Sequence, residues 1–102
     1  MLFAIKVDYT RPAEEIHAHL ESHKAWLVKH VQAGSILFAG PLKGEAAGFF
    51  LAYADHRSDI EKLIAEDPFD TLRLATFDIQ CCDPALCASA FPARWAGGAR
   101  PV

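Results

Sequence analysis

A single α+β domain of order β-α-β-β-α-β is the fold that this 102-residue sequence predicts. Three observations carry the prediction. Four short runs rich in strand-forming residues begin near Leu2, Ser35, Phe49 and Leu74. Two segments with apolar residues at helical spacing separate the first run from the second and the third from the fourth. The second and third runs are joined by a short, glycine-bounded stretch, as in a hairpin. That order is the split βαβ pattern of ferredoxin-like folds, in which both helices cover one face of a four-stranded antiparallel sheet.

Each element has a local cause. Leu2 to Val7 is an apolar run interrupted only by Lys6, and reads as the first strand. "YTRPAEE" then starts a helix: Thr10 can cap it, Pro12 suits the first turn, and Glu14 and Glu15 favour the positive end of the dipole. This first helix is expected from about Ala13 to Ala33, with Ile16, Leu20, Leu27 and Val31 on one stripe and Gly34 as the stop. "SILFAG" is the second strand, "PLKGEAAG" the loop and "FFLAYA" the third strand. In "DHRSDIEKLIAEDPF", Ser58 with Glu61 three positions on matches a capping box, and Ile60, Leu63 and Ile64 supply the apolar face. Asp67 ends this helix, because a residue before proline is pushed out of the α region. "LATFDIQCC" is the fourth strand. Residues 83–102, "DPALCASAFPARWAGGARPV", are rich in small residues and contain Pro84, Pro92 and Pro101. They read as an irregular tail beyond a folded unit of residues 1–82.

Composition narrows the function. Apolar residues are 52% of the chain and charged residues 23%, an ordinary globular balance. The net charge of −3 argues against nucleic acid or an anionic membrane as partner. No apolar run approaches the roughly 18 residues of a membrane span. The start, "MLFAIKVDYT", lacks the basic region and cleavage site of a signal peptide, so a cytoplasmic protein is expected. Cys81, Cys82 and Cys87 form C-C-x4-C, which is not a zinc spacing, and are expected as reduced thiols. No glycine-rich nucleotide motif or metal cluster is present, so no cofactor and no metal are expected. The strands Leu2 to Val7 and Phe49 to Tyr53 are apolar on both sides. A single sheet of that kind must bury its second face, and a homodimer packed sheet to sheet is the expected cover.

The candidate chemistry lies in two places. At about 100° per residue, Ile16, Leu20, His23 and Leu27 fall within a sector of roughly 60°. His23 therefore sits in the middle of the stripe that should face the sheet. Either it is a core histidine bonded to a neighbouring polar group, or its imidazole faces a pocket and moves a proton near neutral pH. His19 and His23 are four apart, but without a third ligand the spacing does not make a metal site. Asp67 is the natural partner: the rigid Asp-Pro step fixes where its carboxylate points, and a carboxylate beside an imidazole sets its tautomer. The alternative is a turn-forming Asp-Pro and nothing more. Phe69 is either core or a pocket wall, with core favoured.

"SHKAWLVKHVQAGSILFAGPL" followed by "GFFLAYADHRSDIEKLIAEDPF" resembles the YCII-related family. The shared pattern is a helix histidine before a glycine turn, a strand ending in A-G-P, a glycine opening the next strand and a helix ending in D-P-F. It spans about residues 1 to 82. The resemblance implies a ferredoxin-like, dimeric α+β barrel with an active-site His and Asp, matched here by His23 and Asp67. One branch of the family resembles a dehydrochlorinase acting on a chlorinated hydroxyquinol. Many relatives have an Arg shortly before the histidine, where Glu21 and Ser22 stand here. The expected function is a small cofactor-free enzyme, lyase- or isomerase-like, using the His-Asp pair on a small cyclic or carbonyl-containing molecule. Phe69 and Trp26 are its candidate binding residues. The alternative is a non-catalytic dimeric module that binds a small molecule.

Overall fold

A computed structural model describes residues 1–102. Its main sheet has four strands: β1 (Leu2–Tyr9), β2 (Ile36–Pro41), β3 (Ala47–Tyr53) and β4 (Ala75–Cys82). They are ordered β2-β3-β1-β4 and every neighbouring pair is antiparallel. Helices α1 (Ala13–Ala18), α2 (Leu20–Gln32), α3 (Arg57–Ala65) and α4 (Pro68–Thr71) provide the other layer. The ferredoxin-like α+β fold expected from the sequence is therefore the fold observed.

Strand alternation separates the two faces of the sheet. Phe3, Ile5 and Val7 of β1, with Phe50 and Ala52 of β3, point toward the helices and are buried. They meet Ile16, Trp26, Ile60, Leu63, Ile64 and Phe69 in one core cluster. The opposite face carries Leu2, Ala4, Phe49, Leu51 and Tyr53, all half-buried, and Phe38 of β2, which is 54% exposed. Its β4 edge is polar, with Thr76, Asp78 and Gln80 exposed. The apolar part of that face is thus confined to β1, β2 and β3.

Three expectations need correction. The long first helix is two helices that meet at His19, whose backbone (φ −112°, ψ 9°) leaves the α region. The Ser22 hydroxyl donates to the His19 carbonyl at 3.0 Å, a back-bond of the kind that bends helices. Gly34 does follow α2 with φ +82°, the left-handed stop that glycine permits. Second, α3 is not capped by Ser58: His56 is the residue at its N-cap, without a side-chain cap, and Ser58 lies inside the first turn. Third, α3 ends at Ala65, and Asp67 opens a new helix rather than closing the old one. The tail is less irregular than its composition suggests. β5 (Leu86–Cys87) and β6 (Arg100–Pro101) pair in parallel around α5 (Ala93–Ala96), whose Ala96 is buried.

The observed start of α3 gives a direct check. Ser58→Ala is expected to change stability by no more than about 0.5 kcal/mol in chemical denaturation, as for an ordinary surface position. A loss of about 1 kcal/mol or more would restore Ser58 as the cap.

Candidate active site

The tripeptide Asp67-Pro68-Phe69 works as one device. Asp67 is the N-cap of α4, and its Oδ1 accepts the Phe69 N–H at 3.0 Å. Pro68 occupies the first helical position, where its missing N–H costs nothing and its fixed φ suits the turn. Phe69 then lies in the core with no exposed surface. The Asp67 side chain is also completely buried.

A buried carboxylate is costly unless it is hydrogen-bonded and paired. His23 supplies the partner. Its Nδ1 lies 2.9 Å from Asp67 Oδ1 and 3.0 Å from Oδ2. The two residues are 44 positions apart in sequence, on α2 and at the α3–α4 corner. An ionised carboxylate only accepts, so Nδ1 carries the hydrogen and Nε2 of the neutral imidazole keeps its lone pair. Nε2 is not among the buried polar atoms that lack a partner, and His23 lines a cavity of about 270 Å³. The nitrogen with the free lone pair thus belongs to a ring that borders the cavity.

Two aromatic rings hold the imidazole flat. The Phe69 ring is parallel to it, with centroids 4.0 Å apart and planes 3° apart. Trp26 lies 5.8 Å away at 23°. Trp26 is anchored by its own Nε1–H, which donates to the Leu63 carbonyl at 3.0 Å. Neither Phe69 nor Trp26 is among the residues that line the cavity. Both candidate binding residues touch the catalytic candidate, as supports for His23.

The cavity walls are Val7, Leu20, Leu27, Pro41, Phe49 and Phe50, with Tyr9, Lys24 and the glycines Gly40 and Gly48. Tyr9, at the end of β1, is a site residue that the sequence reading missed. Its ring meets Phe69 edge-on, with centroids 5.8 Å apart and planes at 88°. Burial pushes its phenol above the ordinary tyrosine value, and the Asp67 carboxylate adds to the rise. The signal available in the sequence was its phase: Tyr9 continues the inward set Phe3, Ile5, Val7.

The other histidines stand apart. His17 is exposed, and His30 is buried with its ring against Trp26. His30 Nε2 has no hydrogen-bond partner; Glu66 Oε1, at 3.6 Å, is beyond hydrogen-bond reach and pairs with it only when the imidazole is charged. Lys29 lies 3.0 Å from the same Glu66 oxygen and is the chief reason the Glu66 carboxyl sits below its usual range. No three His, Cys, Asp or Glu side chains converge in a set able to hold a metal. No helix is long and apolar enough to cross a membrane.

Comparison with known proteins places this geometry in context. The model of the YCII-related domain matches residues 1–76. No curated protein matches the chain. Among solved structures, it is similar to 5-chloro-2-hydroxyhydroquinone dehydrochlorinase from Burkholderia phenoliruptrix AC1100, in complex with 2,5-dihydroxybenzoquinone. The match has a TM-score of 0.69 at 21% identity and covers 82% of this chain and 95% of that one. At that identity the likeness concerns the fold.

The buried pair yields two predictions. Asp67→Ala removes the cap and leaves the His23 Nδ1–H without an acceptor, so it should cost about 2–4 kcal/mol in urea denaturation. Asp67→Asn keeps an acceptor oxygen and should recover at least half of that; an Asp67→Ala protein as stable as wild type would refute the account. The second concerns Tyr9. In an ultraviolet pH titration, with Tyr53→Phe to assign the steps, Tyr9 should ionise above the ordinary value of about 10. It should ionise at lower pH in Asp67→Asn, where the opposing charge is gone. A folded-state pKa that is raised means stability present below the unfolded value and lost as pH climbs through the folded one. Wild type should therefore lose this contribution on the alkaline side only, and Tyr9→Phe should abolish that dependence.

Proposed function

The chain belongs to the YCII-related domain family, and on that premise we propose that it is a small enzyme that moves a proton with His23, oriented by Asp67, on a small cyclic or carbonyl-containing molecule. The observation that carries this reading is the His23 hydrogen bond: Nδ1 is fixed by both oxygens of a carboxylate with no solvent exposure, while the ring borders a cavity. A base held in one tautomer is ready to accept a proton at the other nitrogen, and the imidazolium that forms is stabilised by the adjacent carboxylate. The proton's departure leaves an electron pair on the substrate. That pair either expels a leaving group, as in dehydrochlorination, or is reprotonated elsewhere, as in isomerisation.

Size and polarity support a small substrate. About 270 Å³ lies just below the range of roughly 300–1,000 Å³ typical of pockets for drug-sized ligands. The ring ligand held by the dehydrochlorinase of similar fold is of the size such a space would take. Side chains supply the chemistry in this proposal, without a cofactor.

The working unit in this reading is a homodimer. Leu2, Ala4, Phe38, Phe49, Leu51 and Tyr53 form an apolar sheet face, and the Phe38 and Phe49 rings lie 6.0 Å apart on it. Apolar patches of this extent on a soluble protein mark contact surfaces. Sedimentation should give a dimer at micromolar concentration, and Leu51→Glu should give a folded monomer. A monomeric wild type would rule the dimer out.

The activity is tested by a thermal-shift screen of small enols, hydroxyquinones and keto acids on wild type and His23→Ala, followed by turnover assays of the hits. Asp67→Asn should lower kcat by about 10²–10⁴-fold with the fold intact. Ligands that bind without any turnover would favour a binding module, and unchanged kcat in Asp67→Asn would end the proton-transfer reading.

A further inference from the structure

We propose that the Tyr9 hydroxyl is the second functional group of this cavity, a hydrogen-bond donor to the oxygen on which charge develops when His23 takes a proton from a planar, conjugated enol. The inference rests on the reading of His23 and Asp67 above and adds a residue, a reason for a glycine and a ligand class to it.

Three observations converge on Tyr9. It borders the same cavity as His23, and one ring organises both: Phe69 stacks on the imidazole at 4.0 Å and receives the Tyr9 ring edge-on at 5.8 Å. The two polar groups are therefore fixed with respect to each other by a buried aromatic side chain. The second observation is Gly48. It is buried in the middle of the cavity wall, and a Cβ added there would lie 3.2 Å from the Tyr9 hydroxyl oxygen. Its φ is not in the left-handed region. Backbone geometry does not require glycine at this point; a side chain here would press the Tyr9 hydroxyl out of place by a few tenths of an ångström. The third is electrostatic. A phenol is protonated at neutral pH, and burial and the Asp67 charge shift Tyr9 further in the same direction, so it presents an O–H and not a phenolate.

The step balances in charge. The substrate loses a proton from carbon or oxygen to His23 Nε2, and the electron pair stays on the substrate, delocalised onto a conjugated oxygen. Before the transfer the site carries the negative charge of Asp67 and, on its wall, the positive charge of Lys24. Afterwards the imidazolium and the oxyanion are added, and the sum is unchanged. The cavity around that oxyanion is lined by the apolar Leu20, Leu27 and Phe50, with Lys24 at its border. In such surroundings a preplaced donor is worth far more than in water. The ligand that matches one acceptor nitrogen, one donor hydroxyl and flat apolar walls is a small planar ring with conjugated oxygens.

The test is calorimetric titration of 2,5-dihydroxybenzoquinone into wild type, Tyr9→Phe, Gly48→Ala, the Tyr9→Phe/Gly48→Ala double variant and His23→Gln at neutral pH. Wild type should bind. Tyr9→Phe should bind about 10–100-fold more weakly, the loss expected for a hydrogen bond to a charged group. Gly48→Ala should weaken binding by displacing the hydroxyl, and the double variant should be no weaker than Tyr9→Phe alone, because both changes remove one interaction. Additive losses would mean that Gly48 acts independently of Tyr9 and would overturn the positioning claim. If Tyr9→Phe binds like wild type while His23→Gln binds at least tenfold more weakly, the Tyr9 proposal fails and the His23 reading survives. If only His23→Gln binds like wild type, the reading of His23 is what fails. Absence of binding by wild type at millimolar ligand would overturn the ligand class.

Discussion

A carboxylate with no access to solvent is the constraint around which this molecule is arranged. Asp67 must receive hydrogen bonds within the protein or carry a heavy desolvation cost. Two of its contacts are to the His23 Nδ1–H and one is to the Phe69 amide. Supplying the first ties α2 to the α3–α4 corner. The same seam is reinforced along the helix at two further positions, where Trp26 donates to Leu63 and Lys29 reaches Glu66, and His30 lies beside the same Glu66. These four α2 residues recur at intervals of three, three and one, so they form a single row on one side of the helix. The geometry of the pair is thus a consequence of helix packing, and not of two side chains finding each other on mobile loops.

That row explains where the apolar stripe of the first helix goes. The deepest residues of α2 are His23, Trp26 and His30. Leu20 and Leu27 are turned from that row toward the cavity, while Val28 and Val31 remain 53% and 42% exposed. Apolar side chains that a simpler protein would bury in its core instead line an open space. The apolar surface left over on α2 and beside β2 continues through Phe38 to the sheet face opposite the helices. Cavity and sheet face are two ends of one uncovered apolar region.

Much of this was legible from residue order. Period-two and period-3.6 patterns located all four main strands and both helical regions, because burial on one side imposes those periods. His23 and Asp67 were legible because a titratable residue inside an apolar stripe and an acid locked before a proline are both locally unusual. What escaped prediction depended on contacts distant in sequence or on competition between local motifs. The break at His19 coincides with one hydroxyl bonded back to its carbonyl, a local detail that the apolar stripe does not encode. The Ser58 capping box lost to a helix that begins two residues earlier. Asp67 was read as an end, although a residue excluded from the α region by proline is equally suited to cap a new helix on its C-terminal side. Tyr9 and Gly48 could not be paired from sequence, since only the register of β1 on β3, with Val7 opposite Gly48, brings the end of β1 beside that glycine.

Most depends on whether the Asp67 carboxylate dictates which imidazole nitrogen of His23 is free. Long-range ¹⁵N–¹H correlation NMR of the histidine side chains near neutral pH measures this directly, because protonated and bare ring nitrogens differ widely in chemical shift. Neutral His23 in wild type should be the Nδ1–H tautomer with Nε2 bare, and Asp67→Ala, which removes the acceptor, should lose this preference. A His23 ring found with its hydrogen on Nε2 and a bare Nδ1 would contradict the account, since no nitrogen would then be free to accept a proton from the cavity.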